Sequence, residues 1–300
     1  MIKLNSAFLY VSIASIAWGA TAPIMKLTLE EIPVFSLAFL RMAIASFILG
    51  FLISKKLKIK KEHLSNFFWA AITGVTLNLT FFFIGLKLTQ AILAAFLVAS
   101  VPIFTLIAAH IYLKEKLSLR LIFASLIAFA GVSTLIGKSD GPMNLTQVLG
   151  NIFLLLATLS WVAHEIVGKK LLKIYDGGVV AFYSMAIGAA TFLPLFLWEF
   201  WQNPTWPQNV SLQATSGLLY GIFFSSLIAY WAWQKGLSLL PAGKAAFFFY
   251  LDPISGSIVS IILLGEKLTP ALIFGGILIA TGVFLAEQKR QSHPLHKKLA

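Results

Sequence analysis

The sequence predicts an all-α integral membrane protein in which ten transmembrane helices form two inverted five-helix repeats. Three observations lead to this prediction: the composition, the number of apolar runs and an internal repeat. Of the 300 residues, 59% are hydrophobic and only 11% are charged, whereas a soluble domain carries about 25% charged residues. Such a chain cannot cover a water-facing surface, which excludes a soluble enzyme, a coiled coil and a disordered protein. Cysteine is absent, which excludes disulfides and thiol chemistry.

Ten runs of the chain have about the 20 apolar residues that a bilayer-crossing helix needs. They lie near residues 6–29, 34–53, 65–86, 91–113, 119–137, 146–168, 178–198, 214–236, 242–264 and 270–286. Charged, proline-containing or glycine-rich breaks separate them. Most of these breaks are short, so neighbouring helices are expected to run antiparallel.

The distribution of lysine and arginine predicts the orientation of these helices. The N-terminus, the even-numbered loops and the C-terminus together hold eighteen of these residues, and the opposite side holds four. Because lysine and arginine accumulate on the cytoplasmic side, both termini are predicted to be cytoplasmic, with residues 289–300 as a basic tail. The same rule accounts for the net charge of +12, so no nucleic-acid partner is predicted. The expected location is the cytoplasmic (inner) membrane.

An internal repeat divides the chain into residues 1–140 and 141–288. A shift of 151 positions aligns residues 85–136 with 236–287, and a shift of 143 aligns the earlier helices. The aligned pairs include Trp18/Trp161, Lys26/Lys169, Leu86/Leu237, Pro102/Pro253 and Glu115/Glu266. Since each half has five helices, an odd number, the second half must enter the membrane inverted. Inverted repeats are typical of alternating-access transporters.

Several short motifs carry a resemblance to a known family, and the proline and Glu-Lys-Leu elements among them recur in both halves. They are Trp18-Gly19, Leu40-Arg41, Ala229-Tyr230-Trp231, Pro102, Leu251-Asp252-Pro253, Gly282-Val283 and the Glu-Lys-Leu elements that begin at Glu115 and Glu266. In these motifs the sequence resembles the drug/metabolite transporter superfamily, specifically its EamA-type members with ten helices. The resemblance implies an inner-membrane carrier for small metabolites, often amino acids, that are usually exported. It also implies a central cavity between helices 1, 3, 4, 6, 8 and 9.

The candidate substrate-binding residues are aromatic and polar side chains within the spans. They are Trp18, Asn78, Phe82, Ser100, Trp161, Tyr230, Trp233, Tyr250 and Asp252. An ionisable group inside the membrane is costly and is by default a functional candidate. Asp252 is therefore the strongest candidate for binding a substrate amine or a proton, with a structural pair to Arg41 or capping of the broken helix as the alternatives. The aromatic residues favour an amphipathic organic substrate over a phosphate or an inorganic ion.

A second set of residues is predicted to act in hinges or gates. Pro102 and Pro253 lie near the middle of helices 4 and 9, where each is expected to break the helix. Glu115 and Glu266 are expected to cap the amides that start helices 5 and 10.

His164 and Glu165 lie near the cytoplasmic end of helix 6. They are read as a proton relay or gate, with an interfacial ion pair to Lys169 and Lys170 as the alternative.

These patterns favour a carrier over an enzyme. The chain shows no metal-binding, catalytic or nucleotide-binding spacing, so no catalytic residue, metal or cofactor is predicted. A lipid or polyisoprenoid flippase remains an alternative, and a membrane transferase is a weaker one. The expected partners are a small-molecule substrate and membrane lipid, and Gly275, Gly276 and Ala280 offer a face for a homodimer.

Overall fold

The computed structural model describes residues 2–89, 97–116, 118–135, 144–264 and 270–287, and within them every regular element is helical. The α-helices of the first half are α1 (Ile2–Gly19), α2 (Thr21–Thr28), α3 (Val34–Leu52), α4 (Leu64–Ala71), α5 (Asn78–Leu88), α6 (Val101–Leu113) and α7 (Leu119–Leu135). Those of the second half are α8 (Leu145–Leu171), α9 (Gly177–Gln202), α10 (Leu212–Tyr220), α11 (Ala229–Leu239), α12 (Ala242–Ala246), α13 (Leu251–Leu264) and α14 (Pro270–Glu287).

Six helical segments in the described part of the chain are long and apolar enough to cross a membrane. They are Asn5–Thr28, Val34–Leu52, Lys61–Leu88, Leu145–Leu171, Gly177–Gln202 and Leu212–Leu239. Shorter apolar helices cover Val101–Leu113, Leu119–Gly131 and Ile273–Gly282. A helix satisfies its own backbone hydrogen bonds, which is what a bilayer requires of a spanning segment.

Four helix pairs make the most extensive contacts. α1 packs on α11, α5 on α8, α3 on α9, and α7 on α14. The largest buried apolar cluster joins α1, α3, α5, α8, α9 and α11. The pair α7 and α14 encloses a smaller cluster around Ala124, Ala128 and Ile279. These two helices therefore flank the central group.

Two of the long helices contain a π-helical stretch. Ile72–Leu77 joins α4 to α5, and Gly221–Ile228 joins α10 to α11. Insertions of this kind shift the backbone hydrogen bonds and often occur at functional sites. Their carbonyl oxygens accept side-chain hydrogen bonds from other helices, as described below.

The two prolines lie elsewhere in their helices than the sequence suggested. Pro102 occupies the first turn of α6, and Pro253 the first turn of α13. A 3₁₀ turn, Phe247–Tyr250, precedes α13. Since proline is tolerated in a first turn, where its missing N–H is not needed, both residues start helices. Each predicted span is thus interrupted just before its proline, as expected, by a turn at residues 99–100 and by the 3₁₀ turn at Phe247–Tyr250.

Candidate functional site

A cavity lies among the central helices. The space free of protein atoms, including the opening, measures about 660 Å³. Its lining is mostly apolar with a few polar groups. The lining residues are Trp18, Thr21, Arg41, Asn78, Leu79, Phe82, Val98, Val101, Leu154, Ala157, Thr158, Trp161, Ser225, Tyr230, Phe249 and Asp252.

An aromatic wall forms one side of this cavity. The Trp18 ring centre lies 4.9 Å from that of Trp161 and 5.6 Å from that of Tyr230, both edge to face. Phe249 stacks on Trp18 with ring centres 5.7 Å apart. The Trp18 indole N–H donates to Ser225 O at 2.9 Å, and the Tyr230 hydroxyl donates to Gly74 O at 3.0 Å. The wall is thus held by hydrogen bonds that leave the ring surfaces available to an apolar group.

Arg41 is a fully buried cation on the cavity. Its Nη2 donates to Ser225 Oγ at 2.9 Å, and its Nε lies 3.2 Å from Ser226 Oγ and 3.3 Å from Gly221 O. Its Nη1 has no hydrogen-bond partner within the described residues. Gly221 permits this packing, because a Cβ there would lie 2.8 Å from Arg41 Cδ. Arg41 therefore does not extend to the membrane surface.

Asp252 is a buried carboxyl on the same cavity. It lies in the first turn of α13, and its Oδ1 has no hydrogen-bond partner within the described residues. No lysine, arginine or histidine nitrogen of these residues lies within 4.0 Å of its oxygens. The expected alternative of an ion pair with Arg41 is therefore wrong. The cavity instead presents a guanidinium group and a carboxyl group that do not pair with each other.

Six of the predicted binding residues line the cavity, and three do not. The six are Trp18, Asn78, Phe82, Trp161, Tyr230 and Asp252. Trp233 packs behind the wall with its ring centre 4.6 Å from that of Phe249. Tyr250 faces α7, where its hydroxyl donates to Ser125 O at 2.9 Å, and Ser100 donates to Leu97 O at 2.5 Å.

Three of the predicted gating residues, Glu115, His164 and Glu165, lie toward one end of α6 and α8, beyond the cavity. Glu115 accepts hydrogen bonds from the amides of Ala242 at 2.8 Å and Gly243 at 3.3 Å. It therefore caps α12, and the expectation that it caps the next helix in the chain is wrong. The sequence offered no sign of this partner, which lies 127 residues away. Glu266 lies outside the described residues.

His164 and Glu165 are both completely buried, so an interfacial ion pair is also wrong. The His164 Nδ1–H donates to Ala70 O at 2.8 Å, and its Nε2 accepts from Gln234 Nε2 at 2.8 Å. One ring nitrogen thus donates a hydrogen bond and the other accepts one, which is the pattern of a neutral imidazole. Glu165 accepts a hydrogen bond from Thr105 Oγ1 at 2.5 Å.

Sequence reasoning missed several residues of the cavity, chiefly Thr21, Ser225 and Phe249, and it favoured a structural role for Arg41. Ser225 lies in a π-helical stretch, which hydropathy does not reveal. Thr21 Oγ1 lies 2.9 Å from Ser225 Oγ, and so belongs to the same polar group. One signal was available for Arg41, because an arginine two turns inside an apolar run is rare without a function.

The chain matches the model of the EamA-like transporter family over residues 5–137 and 148–287. It belongs to the EamA-like transporter family. An uncharacterized transporter of Archaeoglobus fulgidus is 26% identical over 95% of this chain and 99% of that protein. The uncharacterized transporter YoaV of Bacillus subtilis is 25% identical over 95% of this chain and 97% of its own. A crystal structure superimposes with a TM-score of 0.78 over 94% of this chain and 96% of the other, at 18% identity, and shows the same fold.

Family membership and the six long apolar helices make this protein a multi-pass membrane transporter. The resemblance seen in the sequence motifs is confirmed. A membrane transferase, the weaker alternative, is excluded because the family and these relatives are transporters.

Proposed function

We propose that this EamA-like transporter exports amino acids or related amphipathic metabolites by alternating access, as a secondary transporter. The observation that carries the proposal is the charge pattern of the cavity. Arg41 and Asp252 are both buried, each has a polar atom without a partner in the described residues, and they do not pair with each other. A buried charge is costly unless it is paired. A ligand carrying both charges would supply both partners.

A zwitterionic amino acid has this chemistry. Its carboxylate would accept from Arg41, since guanidinium–carboxylate hydrogen bonds are among the strong ones. Its ammonium group would donate to Asp252. Its side chain would lie against the rings of Trp18 and Phe249. The side-chain amide oxygen of Asn78 is available to accept a hydrogen bond from the ligand, because its Nδ2 already donates to Ala157 O at 2.9 Å.

For the architecture, we propose ten spans in two inverted repeats, residues 1–140 and 141–288, with both termini in the cytoplasm and the protein in the inner membrane. Two observations support the repeats. The family model matches two segments, residues 5–137 and 148–287. The aligned residues Lys26 and Lys169 also make matching contacts, each with carbonyl groups at the end of a helix, α5 or α11.

Within this scheme, Pro102 and Pro253 are the hinges, and the membrane lipid surrounds α7 and α14. A homodimer would use the exposed side of α14. Ala280 lies on that side, and a Cβ at Gly276 would meet open space. Gly275 faces inward, where its carbonyl oxygen lies 2.7 Å from a Cβ built at Gly131.

The test is flux of labelled phenylalanine, tryptophan, methionine and threonine in proteoliposomes, with and without a pH gradient. Saturable flux of any of them is expected, and efflux from loaded vesicles measures the direction. Because both charges of the substrate are recognised, phenethylamine and 3-phenylpropionate should each compete with phenylalanine far more weakly than phenylalanine itself. No flux of the four amino acids, together with movement of a labelled lipid, would replace the proposal with the flippase.

Two cavity variants separate the roles of the charges. Arg41→Lys and Asp252→Asn should each raise the half-saturation concentration for phenylalanine about tenfold or more, since a charged hydrogen bond contributes about 1.5–3 kcal/mol. Only Asp252→Asn should leave competition by 3-phenylpropionate unaltered. Ser184→Ala, which removes a completely buried hydroxyl on α9 outside the cavity lining, is the matched control and should transport normally.

A further inference from the structure

Glu165 is a buried carboxyl that the substrate cavity does not use. It lies on α8 one helical turn beyond Trp161, which lines the cavity, and none of its surface is exposed. Thr105 lies correspondingly one turn beyond Val101 on α6, and its Oγ1 donates to Glu165 Oε2 at 2.5 Å. The carboxyl group and this donor thus join α6 to α8, one helical turn from the cavity lining.

The second oxygen of this carboxyl, Oε1, has no hydrogen-bond partner within the described residues. The Trp161 indole N–H makes only a weak hydrogen-bonding interaction with the carboxyl group, outside ordinary hydrogen-bond geometry. In the described part of the chain no lysine, arginine or histidine nitrogen comes within 4.0 Å of either oxygen. An ionised carboxylate in such a place would be buried without a counter-charge, which strongly favours the neutral form.

The charged groups nearest to Glu165 are engaged elsewhere. Beyond it, toward the end of the helices, Lys169 donates to the carbonyls of Leu237 and Leu240, and Glu115 accepts from the amides that start α12. The ammonium group of Lys244, on α12, lies 4.8 Å from the Phe8 ring centre. Together these residues close the end of the bundle over Glu165.

Three other titratable groups on the elements around Glu165 also have partners. On α8, the His164 ring donates to Ala70 O and accepts from Gln234. On α11, the Tyr230 hydroxyl donates to Gly74 O. On α6, His110 Nδ1 lies 2.9 Å from Glu115 O near the exposed end of the helix. None of these three groups forms an ion pair or a hydrogen bond with Glu165.

We propose that Glu165 is a proton-binding site, separate from the substrate cavity, that couples transport to a proton gradient. The proposal rests on the proposed transport function. With α6 and α8 in contact, the carboxyl group holds its proton. When the helices separate, water reaches the group and the carboxylic acid releases one proton to the side that has opened. Glu165 takes up its next proton from the opposite side, through the substrate cavity one helical turn away, so each cycle carries one proton across the membrane.

The first test needs no substrate. Infrared difference spectra of the full-length protein in liposomes, titrated from acidic to alkaline pH, should show a protonated-carboxyl band that is lost in Glu165→Gln and retained in Asp252→Asn. Thr105→Val should shift the frequency of this band, because it removes the hydrogen bond to the group. A Glu165→Gln spectrum identical to the parent, or a Glu165 band that never titrates, would overturn the proposal.

The second test separates coupling from substrate movement. With labelled phenylalanine as the probe, the accumulation driven by a pH gradient should be at least tenfold lower in Glu165→Gln than in the parent. Exchange of phenylalanine at equal pH on both sides should continue in this variant. Accumulation that persists in Glu165→Gln would contradict proton coupling at this site. If the parent moves no amino acid at all, the proposed substrate class fails, and the infrared titration still decides whether Glu165 binds a proton.

Discussion

Lys26 and Lys169 occupy corresponding places at the two ends of the helical bundle. Lys26 Nζ donates to Leu86 O at 2.5 Å and to Thr89 O at 2.7 Å, at the end of α5. Lys169 Nζ donates to Leu237 O at 2.5 Å and to Leu240 O, at the end of α11. The last carbonyl groups of a helix have no partners within it, so each lysine satisfies acceptors that a membrane environment would leave unpaired. The contact is a requirement of the scaffold at both ends.

The two ends differ one helical turn farther in. Four residues before Lys169 stands Glu165, completely buried, whereas four residues before Lys26 stands Ala22, half-buried. The acid near Lys26 is Glu30, which is exposed, so closing a helix end does not need a buried acid. The acid at the Lys169 end is therefore not explained by packing, which is the reason for assigning it a function. This comparison can be tested with matched variants at the two ends.

The largest effect is expected from removing the lysines. Lys26→Met and Lys169→Met each leave two carbonyl groups without their charged donor, and each should lower the free energy of unfolding by about 1.5–3 kcal/mol. Thermal unfolding in detergent, followed by size-exclusion chromatography, measures both. Similar losses would show that the contact serves the scaffold at both ends. A loss confined to one variant would break the equivalence of the two ends.

A smaller difference is expected from two threonines. Thr105→Val removes the hydroxyl that donates to Glu165 and should cost about 1–3 kcal/mol, because a buried carboxyl oxygen is left unsatisfied. Thr28→Val at the Lys26 end removes only a bond to Ile24 O in its own helix, so about 0.5 kcal/mol is expected. Both threonines are buried, and valine has nearly the same shape. Equal losses in thermal unfolding would mean that Glu165 does not depend on Thr105.

Hydropathy was sufficient to predict the helical membrane class, and the resemblance of short motifs was sufficient to recognise the family, because both depend on residue type and spacing. The sequence alignment of the two halves also correctly placed Trp18 and Trp161 in the cavity lining, since the two residues occupy equivalent positions in that alignment. None of these sequence features could predict the π-helical stretches, which change backbone hydrogen bonding without changing composition. For that reason the roles of Gly74 and Ser225 were missed. The partner of Glu115 could not be predicted either, because only the packing of the helices places the amides of α12 next to its carboxylate.

The two ends also carry exposed carboxylates whose pKa is lowered in the folded protein. At the Lys169 end, burial by itself raises the pKa of Asp176, but the ammonium group of Lys235 at 2.5 Å and the Gly178 amide outweigh this and lower it. At the Lys26 end, the backbone amide of Ser211 and then its hydroxyl lower the pKa of Glu31. A lowered pKa means that the ionised form stabilises the fold.

The last and smallest prediction follows from these two carboxylates. Their contribution is complete above the ordinary pKa of each group and is lost as the pH falls through the lowered value. The thermal midpoint of the parent should therefore fall at acidic pH, and this fall should be smaller in Asp176→Asn and in Glu31→Gln. Only the Asp176 contribution should weaken in high salt, because it depends on an ion pair with Lys235 that is partly exposed to solvent. If salt changed the thermal midpoints of both variants equally, Lys235 would not pair with Asp176 in solution. Of these differences between the two ends, only the buried carboxyl of Glu165 would then remain.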